Sequence, residues 1–201
     1  MGDNMNYIKV SYKNHNKLYN IVFLIISISI SLGLIVSFCL DNELVTNIYN
    51  YFLEHINNYN NNIIGNIIYP ILVYLIIFIL SLTILGCFMP FLALFIENMS
   101  IGLILGIILR KEALKGLLFG TIYFILTKLF YMIVLIYLTI NIYKFLKTLF
   151  LSIKNKTNES IHSLYSKIII KVLFSILVIS LYNVISIFVV PKIINIFIFL
   201  L

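Results

Sequence analysis

The stretch Phe91-Leu-Ala-Leu-Phe-Ile-Glu97-Asn98-Met-Ser-Ile-Gly102-Leu-Ile-Leu-Gly106-Ile-Ile-Leu-Arg110, continuing Lys111-Glu112-Ala-Leu-Lys115-Gly116-Leu-Leu-Phe-Gly120, decides the fold. It is apolar over most of its length, carries one carboxylate inside that apolar run, and has a short charged break near its middle. Gly102 and Gly106 lie one turn apart on a helix and form a flat strip that another helix can approach closely. Gly116 and Gly120 repeat the spacing after the break. Small-residue pairs of this kind usually serve helix packing, and that is the role expected of all four glycines.

Working outward, the composition agrees. Of 201 residues, 62% are hydrophobic and 10% are charged, and the mean hydropathy is +1.10. Soluble domains carry about 25% charged residues. The expected fold is an all-α integral membrane bundle forming a single membrane domain over residues 1–201. Asn, Ile, Lys, Tyr and Phe abound and Trp is absent, a pattern read as base-composition bias. Cys39 and Cys87 have no Cys-x-x-Cys spacing, and His15, His55 and His162 are too dispersed in sequence to suggest a ligand set. No metal or cofactor is expected.

Five transmembrane spans are predicted, at about 21–40, 67–88, 91–109, 116–143 and 172–190. Twenty residues at ~1.5 Å each cover a ~30 Å hydrocarbon core. The first span is too long for a signal-peptide core and reads as an uncleaved anchor. Pro70 opens the second span, and Gly86, Met89 and Pro90 close it with almost no loop. The third can be a full span or a re-entrant segment. The fourth exceeds a perpendicular crossing, so it tilts or extends into the interface.

Loops fix the orientation. Residues 41–66 carry Asp41, Glu43 and Glu54 and no Lys or Arg, which suits the outer side. Leu44, Ile48, Phe52 and Ile56 recur there every four residues, predicting an amphipathic helix with Asp41 or Asn42 as its cap. Two uses fit it: lying on lipid headgroups, or docking an outside partner. Residues 144–171 carry six lysines against Glu159 and read as a cytoplasmic loop, whose first part, Phe145 to Ile153, is apolar on one side and basic on the other and lies against anionic lipid. With the N-terminus inside, nine basic residues face the cytoplasm and four face outward, and Lys128 lies in the membrane.

No catalytic residues are predicted: no phosphate-binding Gly-rich loop, no His-Glu-x-x-His, no Ser-His or paired-Asp intramembrane set. Glu97 and Lys128 are the charges placed deep in spans. Glu97 lies about six residues past the start of span three, roughly 9 Å deep. Lys128 lies roughly 18 Å from the far face, about 12 Å from the near one. They are expected to pair. The alternatives are that Lys128 snorkels and that Glu97 sits protonated against Asn98.

The layout of anchor, outer loop and four further spans resembles the stage II sporulation protein M family. The segment Leu80-Ser-Leu-Thr-Ile-Leu-Gly86-Cys-Phe-Met-Pro90 leading through Glu97 to Gly106 is similar to that family's pattern, as is Leu181-Tyr-Asn-Val-Ile-Ser-Ile-Phe-Val-Val-Pro191. The resemblance implies a non-enzymatic protein of the bacterial cell membrane, at the sporulation septum and engulfing mother-cell membrane. It would recruit a peptidoglycan hydrolase complex for forespore engulfment. The implied partners are the stage II sporulation proteins P and D, besides the lipid bilayer. A different class of function also fits: a small transporter or permease subunit using Glu97 and Lys128.

Overall fold

In a computed structural model of the chain, backbone structure is described for residues 2–59, 64–81, 88–155 and 161–198, and Gly86 and Cys87 lie outside these. Every described element is helical: α1 (Gly2–Cys39), α2 (Asn42–Asn57), a π-helical turn (Ile64–Ile68) leading into α3 (Tyr69–Ser81), α4 (Met89–Asn155) and α5 (Ile161–Ile198). Three of them are long and apolar enough to cross a membrane, over Lys17–Cys39, Met89–Ser152 and His162–Ile193, and a shorter apolar helix covers Gly65–Ser81. These helices mark a membrane-embedded protein.

The packing is that of a bundle in lipid, where small residues face inward and large apolar ones face outward. On α1, Phe23, Leu24, Ile28, Ile35 and Phe38 are exposed, while Val22, Ser29 and Ser37 are buried. Ser29 and Ser37 donate their hydroxyls to the carbonyls of Ile26 and Leu34, so the inward face offers no unpaired hydroxyl.

α4 is a hairpin of two helical arms. Its turn is Ala113, at φ 54° and ψ −142°, the one positive-φ residue among those described. Only glycine adopts that region freely, so Ala113 carries strain of about 1–3 kcal/mol. The two arms, 89–112 and 114–155, run antiparallel: Gly120 faces Leu105 and Ile108, Lys128 faces Glu97, and Phe91 meets Tyr143 edge-on at 6.2 Å. The hydrophilic turn expected over Arg110–Lys115 is therefore a single residue. Charged side chains do not end a helix unless the backbone can leave it, and Arg110, Lys111 and Glu112 all sit on the last turn of the first arm.

Other boundaries move for related reasons. The basic stretch 144–171 is not a loop over its described length. α4 continues to Asn155 and α5 begins at Ile161, with residues 156–160 outside the described set. Phe145 packs on Tyr165 with ring centroids 5.0 Å apart, and Lys171 donates to Asn141 Oδ1 at 2.7 Å, so the two extensions zip together. Lysine is a good helix former, and periodic apolar residues give these extensions a face to bury. Pro191 does not end the last helix, which runs on to Ile198. At the head of α3 the register changes from π to α beside Pro70, which has no N–H to close a regular turn.

α2 folds back along the hairpin. Val45, Phe52 and Ile56 are buried, and Phe52 packs edge-on against Tyr123 at 5.1 Å. Much of the apolar stripe that suited a headgroup layer or an outside partner is thus covered by the bundle itself. Asp41 occupies the N-cap position, but its side chain makes no cap bond; its carbonyl accepts Val45 N–H at 3.0 Å.

Candidate functional site

Three neighbouring features carry the polar chemistry of the bundle: a glycine seam, a charged pair and a cavity. The seam joins α1 to the first arm of α4. A Cβ added at Gly102 would overlap the Ile30 carbonyl oxygen and lie 2.9 Å from its carbon. At Gly33 it would overlap the Met99 carbonyl oxygen and lie 2.7 Å from Leu103 N. At Gly106 it would overlap the Ser37 hydroxyl. The contact order, Ile30 with Gly102, Ser37 with Gly106 and Leu40 with Arg110, makes the two helices parallel. Gly102 and Gly106 thus serve α1. Gly116 and Gly120 serve the hairpin instead, facing Glu112 and Ile108 and then Leu105 and Ile108.

At the end of the seam Arg110 donates to the carbonyls of Ser37 at 2.5 Å and Leu40 at 2.9 Å, and to Asn42 Oδ1 at 2.8 Å. A guanidinium there satisfies carbonyls that the end of α1 leaves unpaired and complements its dipole. Lys111 donates to Thr46 Oγ1 at 2.7 Å. Tyr49 donates to Glu112 Oε1 at 2.8 Å. Burial, and then the Glu112 carboxylate that accepts this bond, push the Tyr49 hydroxyl up to about 12. The hairpin tip therefore clamps both the end of α1 and the start of α2.

The charged pair sits farther down the hairpin. Lys128 Nζ lies 3.4 Å from Glu97 Oε2, with the side chains 39% and 18% exposed. Tyr131 donates to Glu97 Oε1 at 3.4 Å, and the lysine also stands 5.3 Å from the Tyr131 ring centroid. Tyr131 is held in turn by Tyr74, whose hydroxyl donates to the Tyr131 carbonyl at 2.8 Å. Asn98, buried next to Glu97, donates to the Leu94 carbonyl of its own helix at 2.7 Å. It is engaged there with the backbone.

Beside the pair lies a cavity of about 500 Å³, lined by Tyr51, His55, Tyr59, Tyr69, Lys128 and Asn183 among others. α2 supplies Tyr51 and His55, the start of α3 supplies Tyr69, and α5 supplies Asn183. The wall is fixed by polar contacts: Tyr59 and Ser186 hydroxyls at 3.3 Å, and Asn66 Nδ2 donating to the Tyr59 carbonyl at 2.7 Å. Asn183 is 6% exposed, and its Nδ2 has no hydrogen-bond partner among the described residues. Burial, and then the Lys128 charge, hold His55 below its ordinary value.

Sequence reasoning singled out the four glycines, Glu97 and Lys128, and missed Gly33, Asn66 and Asn183. Gly33 has no glycine four residues away, but Ser29 and Ser37 flank it at that spacing, and this small-residue stripe was the signal that could have found it. The asparagines were discounted as compositional bias, although an Asn inside an apolar run is itself a signal. Among the described residues no group of three His, Cys, Asp or Glu side chains comes together to hold a metal. Comparison with protein-family models, with curated proteins and with solved structures finds no match to this chain.

Proposed function

We propose that the chain is a five-span membrane protein with a cytoplasmic N-terminus, acting as a non-enzymatic scaffold. The spans would be α1, α3, the two arms of α4, and α5. The parallel packing of α1 on the first arm supports this, because spans one and three of such a bundle run in the same direction. The excess of basic residues at the N-terminus and in 144–171 supports the orientation.

Its role would be that implied by the resemblance to stage II sporulation protein M: holding the stage II sporulation proteins P and D, which carry the wall-degrading chemistry, at the septal and engulfing membrane. The observation that carries the reading is the clamp of Arg110, Lys111 and Glu112 on α1 and α2. A recruiter needs a surface that keeps its shape without a ligand, and this clamp gives the α2 end of the bundle one. Deleting the gene in its own host tests the role. Engulfment should arrest and the hydrolase should lose its septal position, while the purified protein releases no muropeptides. Normal engulfment with the hydrolase in place defeats the reading.

The cavity beside Lys128 favours a second reading, a small carrier or permease subunit that uses Glu97 and Lys128. Uptake of a solute by proteoliposomes holding this chain alone would favour it over the scaffold.

A further inference from the structure

The cavity is rich in donors. Lys128 brings the charge, and among the described residues no carboxylate lines the wall; Glu97 approaches the lysine without being part of the lining. Asn183 adds a buried N–H group with no acceptor among the described residues, and a buried donor left unpaired is destabilising. Tyrosine hydroxyls supply further hydrogen-bonding groups. What the Asn183 amide lacks is an acceptor, and beside the Lys128 ammonium a negatively charged oxygen group supplies one together with a countercharge.

The mouth indicates where such a group would come from. Tyr51 and Tyr69 flank it and are exposed. Leu72, Ile76 and Ile79, all exposed, continue from Tyr69 along one face of α3, and exposed Ile68 precedes them at the end of the π-helical turn. Tyrosine at the edge of an apolar strip is the usual partner of the headgroup level of a bilayer. An acyl chain can lie on that strip while its headgroup enters the cavity; a free phosphate can enter alone.

We propose that this cavity, formed by α2, the start of α3, the second arm of α4 and α5, binds a phosphoryl group, with Lys128 and Asn183 as its principal donors. The site is independent of the scaffold reading, since it needs neither partner proteins nor sporulation. Binding satisfies the Asn183 amide and shares the Lys128 ammonium between Glu97 and the ligand. The inventory of Lys128 permits this, with three N–H donors and one bond to Glu97.

The test uses the full chain in detergent micelles. The protein has no Trp and 14 Tyr, five of them in the cavity wall, so tyrosine emission reports occupancy directly. Inorganic phosphate is titrated against that emission, and phosphatidylglycerol is compared with phosphatidylcholine by native mass spectrometry. One retained phosphatidylglycerol per chain assigns the headgroup; a saturable emission change with phosphate assigns the free anion. Either should weaken roughly tenfold or more in Asn183→Leu and in Asn183→Asp. Lys167→Ala, in a separate small basic cleft between α4 and α5, should leave binding unchanged and controls for general attraction to lysines. The leucine variant keeps the volume without a polar atom, so it carries the test if the aspartate variant does not fold. Binding of neither probe, or equal binding by the Asn183 variants, overturns the proposal.

Discussion

The two sides of the hairpin in α4 solve opposite problems. The first arm meets α1 across a seam so close that an added Cβ at Gly33 or Gly102 lands on backbone. The second arm faces α2, α3 and α5 across a cavity of about 500 Å³ walled by tyrosines. In lipid there is no hydrophobic drive between helices, so the seam is held by van der Waals contact over small residues. The cavity is held open by polar side chains that bond to one another and to backbone. A bundle of this size therefore concentrates its rigidity on one side and its chemistry on the other.

The sharpest way to break that contrast is to put volume into the seam. Gly102→Val should strongly lower the yield of folded protein, by about 3 kcal/mol or more, because the group it meets is the Ile30 backbone and cannot rotate away. Gly120→Ala should cost far less. Its neighbours, Ile108 Cδ1 and Leu105 Cδ2 at 3.0 Å, are the ends of flexible side chains. Thermal unfolding in detergent ranks the two. Equal costs would mean that the seam is no tighter than the hairpin.

Those two glycine pairs look alike in the sequence, and only their partners separate them. Spacing shows that a helix has a flat face, but not which helix covers it. The helical membrane character was legible because apolar content and charge depletion are sums over the whole chain. The approach of Glu97 to Lys128 was legible because rise per residue is fixed, which puts the two positions level on adjacent antiparallel arms. The Ala113 turn was not: nothing in an Ala between Glu112 and Leu114 marks a reversal, and the strain there is sustained by packing elsewhere. The run 144–155 was legible only in part: Phe145 to Ile153 shows an apolar and a basic side, but nothing in that pattern tells that it continues α4. Asn183 was hidden by the abundance of asparagine, since composition can explain how many there are but not where one is buried.

The second prediction concerns the border between the two sides. Glu97→Lys and Lys128→Glu should each lower the amount of inserted, folded protein, and the double reversal should recover much of it. The expected coupling is about 1 kcal/mol, since the pair is part-exposed and its contact is 3.4 Å long. Additive losses would show that the lysine spends its charge on the cavity or the interface instead of on Glu97.

The smallest effect is a test of the cavity side alone, through His55. Burial first, and the Lys128 ammonium second, hold this imidazole below its ordinary value, so the folded protein favours the neutral ring. The unfolded chain takes up its proton near pH ~6.5, and the folded protein only at lower pH. Between those two values the unfolded state holds more protons, so stability rises with pH across that window and is lost as pH falls through it. The groups around the ring fit this sign. Lys128 lines the same cavity, Tyr59 meets the ring edge-on at 5.9 Å, and Glu54, on the same helix, shares with His55 a small groove also lined by Tyr51 and Asn58. The melting temperature at about pH 5.5 should therefore fall below that at about pH 7.5 by more in the wild type than in His55→Gln. Because the ring is only half buried, solvent screens it and the difference should be small. Every other group is common to both proteins, so the difference between the two pH profiles isolates the imidazole. Identical profiles would mean that His55 is fully hydrated when folded, and that the cavity wall on the α2 side is open to water.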